Sequence, residues 1–420
     1  MPKTPSSPFV FLLSRMNTAS SRQSRQAGAA RPAKLKLTPT ERRASTTLAL
    51  LFAVRMLGLF LLTPVFADAA KTLSGGSNAA LVGAAIGAYG LTQAILQIPL
   101  GMASDRFGRR PVIIAGMILF IIGGIVCALT DSVTGVLIGR SIQGLGAISA
   151  AITAWVADAT RPEVRTRAMA MVGGSIGISF ALALVLSPLL VEVGGLSGLF
   201  WVISLLGFVS LLLATFIVPV VPLQTPAIQS KPADVLKNGD LLRLNFGVFC
   251  LHCILMSIFV VAPPLLIGLG GFTTGTLWKV YLPVILASFV AMVPVVFYTE
   301  TRHFHKQSLE WSVAGLAVVM AIMAFATQSF AAIVVLFIGY FVAFNILEAL
   351  QPSLVSRVAP IEHKGLALGF YNMSQALGVA AGGAVGGLLA RYTGTPAVFL
   401  MGAALAALWF FVARSFKSPT

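Results

Sequence analysis

The chain has 420 residues, 57% of them hydrophobic and only 10% charged. Soluble domains carry about a quarter charged residues, so the composition excludes an ordinary soluble protein and points to an all-α, polytopic integral membrane protein. The net charge of +16 does not mark a nucleic-acid binder, because the cations are sorted by membrane side rather than gathered in one patch. Three cysteines provide no disulfide framework, and no Walker A string supports ATP-driven transport.

Residues 1–43 are rich in Ser, Arg and Pro, with Glu41 the only acid. The apolar run Phe9–Leu13 is too short for a signal peptide. This stretch is expected to be a basic disordered tail or to follow an upstream start codon, although its composition would also suit mitochondrial targeting. Twelve spans follow, at Thr46–Phe66, Ala79–Gly101, Val112–Leu129, Val133–Ala157, Arg167–Val191 and Leu196–Pro219, then Leu244–Leu269, Trp278–Thr299, Leu309–Thr327, Phe330–Leu350, Gly365–Ala390 and Pro396–Ala413. Residues 220–243, with three prolines and several charges, read as a linker between six-span halves at 44–219 and 244–414, and 415–420 form a short tail. Of the 29 Lys and Arg, 24 fall in the tails and loops of one side. Lys71, Lys279 and Arg391 fall on the other, and Arg55 and Arg140 lie inside spans. That bias places both termini in the cytoplasm.

The loop after the second span carries Gly101-Met102-Ala103-Ser104-Asp105-Arg106-Phe107-Gly108-Arg109-Arg110-Pro111. Its glycines allow a tight turn, and Pro111 suits the first turn of the next helix. The string resembles motif A of the major facilitator superfamily, G-x-x-x-D-R-x-G-R-R. Gly139-Arg140-x-x-Gln143-Gly144 resembles motif B. Leu37–Arg43, Ile86–Pro111, Arg243–Ser257, Trp278–Tyr281, Phe341–Ser353 and Lys364–Gly387 extend the likeness to a bacterial inner-membrane transporter of that superfamily that carries a soluble C-terminal domain. This chain stops at Thr420, so regulation through such a domain is not expected. Glu300-Thr301-Arg302-His303 reads as a degenerate second motif A, and Arg357–Lys364 echoes Arg161–Arg167.

The resemblance implies twelve helices in two pseudo-symmetric six-helix bundles, with a substrate site near the midplane between them. It implies a gate made by Gly101, Asp105, Arg106, Gly108, Arg109, Arg110 and Asp158. Arg109 would pair with Asp158, and Asp105 would meet the start of the helix near Lys364 or Gly365 in the other half, latching an outward-facing state. For Arg140 it implies proton transfer or contact with an anionic or polar substrate. The antiporter pattern Gly-Pro-x-x-Gly-Gly is replaced here by Ser187-Pro188-Leu189-Leu190.

An ionisable group near the bilayer centre costs about 2.5–3.5 kcal/mol on insertion scales, so each needs a partner, a wet cavity or a function. Glu348, His252, Arg140 and Arg55 are therefore the proton-coupling candidates. Glu348 is also read as tied to a loop arginine, and His252 as a neutral packing residue. Cys250, His252 and Cys253 share one helical turn and cannot easily surround a tetrahedral zinc, so no metal site is expected. Tyr89, Gln93, Gln97, Gln143, Asn345, Tyr371, Asn372 and Gln375 are candidates for the substrate cavity, each with interhelical hydrogen bonding as the alternative. Gly173-x-x-x-Gly177 and Gly378, Gly382 and Gly386 read as faces for close helix packing.

The function expected is a proton-coupled secondary transporter exporting small amphipathic compounds by antiport, as a monomer in the bacterial inner membrane. A sugar or metabolite uniporter or symporter, and a non-transporting membrane sensor or assembly partner, are the alternatives. No cofactor is expected, and with no nucleophile–base pair on the spans, no enzyme activity either.

Overall fold

Lipid offers no partner for backbone N–H and C=O groups, so apolar stretches of this length must close their hydrogen bonds within helices. The computed structural model describes residues 37–219, 232–302, 304–360 and 364–417. Most of the basic tail and residues 220–231 of the linker lie outside this range. The spans are α1 Pro39–Phe60, α2 Ala79–Phe107, α3 Arg109–Leu129 and α4 Val133–Asp158, the last broken between Leu145 and Ser149. The run Pro162–Leu212 follows. With the π-helical turn that continues it, the 47-residue apolar stretch Met171–Ile217 would be about 70 Å long if straight, more than twice a hydrocarbon core. Gly195 breaks it, at φ 63°, into α5 (162–194) and α6 (196–212). The second half comprises α7 Gly239–Gly270, α8 Trp278–Arg302, α9 His305–Phe325, α10 Phe330–Val358, α11 Lys364–Tyr392 and α12 Thr395–Arg414.

The two halves repeat their local devices. Gly195 between α5 and α6 and Gly394 between α11 and α12 both take positive φ, a region open to glycine at little cost. Ser132 caps α4 through the Gly135 N–H, and Ser329 caps α10 through the Ala332 N–H.

Several boundaries differ from expectation: α2 continues through the expected loop to Phe107, and α10 continues to Val358. The helix α1 starts at Pro39, inside the stretch assigned to the tail, because proline suits a first helical turn. Glu41 in that turn then takes the Arg161 backbone N–H at 3.0 Å and its Nε at 2.8 Å. It ends at Phe60 rather than Phe66, where Pro64 cannot continue the helix. The linker is also shorter: a short helix, Pro232–Leu236, precedes α7, which begins at Gly239 because Asn238 caps it with bonds of 3.0 and 3.2 Å.

The halves meet most closely along α2 and α11. A methyl group on Gly83 would lie 2.2 Å from the Gly383 carbonyl oxygen, and one on Gly87 would lie 2.6 Å from that of Ala380. At the end of the bundle opposite the Gly108 turn (the far end), three hydrogen bonds join the halves. Tyr281 donates to the Pro64 carbonyl at 3.1 Å, Arg391 donates to Asn78 at 2.9 Å, and Thr274 donates to Asp68. At the motif A end, the bonds of Arg109 to Asp158, Ser104 and Asp105 lie within the first half. Midway, the Phe180 ring of α5 packs 5.5–6.2 Å from those of Phe344, Phe341 and Phe259 in the other half. The far end is thus closed.

Candidate functional site

At the motif A end, Gly108 turns with φ 96°, so α3 starts one residue after α2 stops. Gly101 allows close approach to Ala150 of α4, where a methyl group would sit 3.4 Å from its Cβ. These turns place Arg109 over the end of α4. Its Nε donates to Asp158 at 2.8 Å and its Nη1 to Ser104 at 2.8 Å, with a further bond to Asp105. The Arg109 side chain is 11% exposed and that of Asp158 12%, so these charge-assisted bonds are largely shielded from water. Arg106 lies on the Phe107 ring, 5.4 Å from its centre, and Arg110 is half-buried. Asp105 is 62% exposed, with Arg109 as its partner. The expected contact of Asp105 with the start of α11 is therefore not made in this structure.

The first half holds two buried cations around one ring. Tyr89 of α2 is fully buried, with Arg140 of α4 4.7 Å and Arg55 of α1 5.8 Å from its ring centre. Arg55 donates to Ser149 at 2.5 Å, and Arg140 donates to Gln143 at 3.1 Å. The break in α4 makes the first bond possible, since Ser149 begins the segment after it. Gln97 is buried with neither amide atom bonded.

The second half holds an imidazole and a carboxyl. The Gln375 amide N–H donates to Nε2 of His252 on α7 at 2.7 Å, and the His252 Nδ1 lies 3.1 Å from the Val248 carbonyl. Its Nε2 is 3.7 Å from Glu348 Oε2 on α10, which has no hydrogen-bond partner. Glu348 is therefore next to His252 rather than a loop arginine. The Tyr340 and Tyr371 hydroxyls are also buried without partners. Asn345 donates to Ser288 at 3.1 Å within the half, and Asn372 is half-buried.

A narrow cavity lies between these groups, lined by Met56, Tyr89 and Gln93 from one half and His252, Gln375 and Val379 from the other. Of the cavity candidates, Tyr89, Gln93 and Gln375 therefore face it together, whereas Asn345 and Gln143 are bonded within their own halves. Among the described residues no cluster of His, Cys, Asp or Glu is placed to hold a metal.

Gly173 and Gly177 do not form a packing face, since a methyl group on either meets nothing within 4 Å. Gly378, Gly382 and Gly386 pack on α7 at Phe249, Cys253 and Ser257. Sequence reasoning missed Ser104 and Ser149, which hold the arginines, and the Gly83–Gly87–Gly90 seam. Both had a signal: the serines stand beside charged or Gly-rich breaks, and the glycines recur at helical spacing.

The sequence model of the Major Facilitator Superfamily matches residues 48–350 and 284–420. The chain is 44% identical over 390 residues to the inner membrane transport protein YajR of Escherichia coli K12, covering 91% of this chain and 85% of YajR. It is 31% identical over 183 residues to the multidrug resistance protein MdtL of Escherichia coli, covering 42% of this chain and 46% of MdtL. A bacterial homologue of the human lysosomal transporter Spinster, in an inward-facing and occupied conformation, has the same fold, with a TM-score of 0.71 at 14% identity over 91% of this chain and 98% of that one. Family model, relatives and helical architecture agree: this multi-pass membrane protein belongs to the major facilitator superfamily.

Proposed function

We propose that the chain is a proton-coupled secondary transporter that exports small amphipathic compounds by antiport, its two halves rocking about the central cavity. The observation that carries this reading is the buried pair of Glu348 and His252 beside a cavity walled by both halves. A carboxyl that meets water in one conformation and loses it in the other is a natural proton carrier. Glu348 would carry the proton and His252 would relay it. The partial likeness to MdtL supports efflux. The motif A end would face the cytoplasm, following the Lys and Arg bias, and the monomer would be the working unit. Asp105, on that end and exposed here, would reach the other half when the far end opens. Substrate binding can bias this equilibrium only if its affinity differs between the two states.

The test uses energised inside-out vesicles challenged with a panel of candidate compounds, comparing wild type with Glu348→Gln and Asp105→Asn. Antiport predicts that a substrate collapses the pH gradient with wild type, and that Glu348→Gln abolishes the response while leaving substrate exchange. Movement of labelled compound without any change in the gradient would instead make the protein a uniporter. Ser187-Pro188-Leu189-Leu190, in place of the antiporter pattern, favours uniport or symport as the second reading. In symport the gradient would respond with the opposite sign.

A further inference from the structure

The buried cations of the first half have no anion. Arg55 is 0% and Arg140 1% exposed, yet among the described residues neither forms an ion pair. Arg55 Nε and Nη2, Arg140 Nε, Gln143 Nε2 and the Tyr89 hydroxyl are all buried without partners. Both positive charges thus lie against the Tyr89 ring, and Tyr89 lines the cavity while the arginines stand behind its lining. A buried charge with no counter-ion is costly, and bonds to Ser149 and Gln143 and the Tyr89 ring offset only part of that cost. Arginine is also a poor carrier of protons, because its guanidinium does not deprotonate in proteins. Its planar donors suit a carboxylate or another oxyanion. The surrounding wall of Met56, Leu59, Phe60 and Val379 is apolar and suits a hydrocarbon or aromatic body.

We propose that this cavity, about 10 Å³ in this conformation, takes an amphipathic anion when the halves rock apart. The anionic head group lies at Tyr89 and Gln93, Arg55 and Arg140 are its counter-charges, and the apolar body lies toward Phe60 and Val379. The inference rests on the transport reading only in taking this cavity as the substrate site and in the rocking of the halves. Binding is measured without transport, so its failure and that of proton coupling are separable.

The experiment titrates the detergent-purified full chain with 2-naphthoate, the uncharged 2-naphthamide and the cationic 2-naphthylmethylammonium, reading the shift in melting temperature and calorimetric affinity. The expected result is at least tenfold tighter binding of the acid than of the amide. In Arg55→Gln and Arg140→Gln the acid should fall to parity with the amide, and Arg140→Lys should keep part of the preference. In the absence of ligand, Arg55→Met and Arg140→Met should melt at the same temperature as wild type or higher, whereas arginines with a purely structural role would lower it. Parity between acid and amide in wild type, including no binding by either, overturns the proposal. So does tightest binding of the cation, or an acid preference that survives both Gln variants.

Discussion

The two ends of the bundle are held by different physics. At the far end the halves touch: backbone meets backbone along the Gly83–Gly87 seam, and three hydrogen bonds cross between halves. At the motif A end the charges are denser, but Arg109, Asp158, Ser104 and Asp105 all belong to the first half. These charged bonds therefore tie the motif A turn to its own half. Close packing is the clamp, and the ion network keeps the loop rigid and Asp105 presented. In lipid this division makes sense. Apolar surface gains nothing by meeting another helix instead of a lipid tail, so small-residue packing and hydrogen bonds must supply the contact.

The largest effect should come from breaking the seam. Gly83→Leu puts side-chain atoms where the Gly383 carbonyl and Gly387 lie. Overpacking of this kind costs about 1–3 kcal/mol, and here only while the far end is closed. The population should shift roughly 5- to 150-fold toward the far-end-open state, read as a longer distance between spin labels at Ser77 and Thr395. An unchanged distance would mean that the seam is not the clamp. Next, Asp158→Asn should lower the melting temperature, since losing one member of a charged hydrogen bond costs about 1.5–3 kcal/mol. It should leave the far-end distance alone, whereas a change there would tie the motif A network to this conformation directly. A smaller shift is expected from Tyr281→Phe, which deletes one bond to Pro64: about 1 kcal/mol, or fivefold toward far-end opening by the same label pair. Arg391→Gln, at an exposed contact with Asn78, should move the equilibrium by no more than about 0.5 kcal/mol. If it exceeded Tyr281→Phe, the ranking of buried over exposed bonds would be wrong.

Much of the candidate site was legible because lipid makes polar residues conspicuous. Arg55, Arg140, His252 and Glu348 stand out against apolar neighbours, and His252 and Glu348 do come together across α7 and α10. Their partners were not legible. Glu348 reads equally well as a residue tied to a loop arginine, and only its position on α10 relative to α7 decides for His252. Ser149 reaches Arg55 because α4 breaks before it, and a break of three residues in a glycine-containing stretch has no periodic signature. The Gly173–Gly177 pattern matches the packing signature as well as Gly378–Gly382 does, yet it meets no neighbour.

Length, hydropathy, glycine and proline placement and cation bias were enough, by themselves, to determine a helical membrane protein of twelve spans and which residues fall on each helix, though not where every helix ends. These are local quantities: 1.5 Å per residue, a bilayer of fixed thickness, and the cost of a charge in lipid. Which helix each face meets was decided by the tertiary structure alone. That choice made α2 and α11 the seam, left Asp105 free of the other half, and gathered two arginines around Tyr89 without an acid. Helical periodicity assigns a residue to a face of its own helix, and in lipid, where every helix is apolar all round, nothing in that pattern names the neighbour.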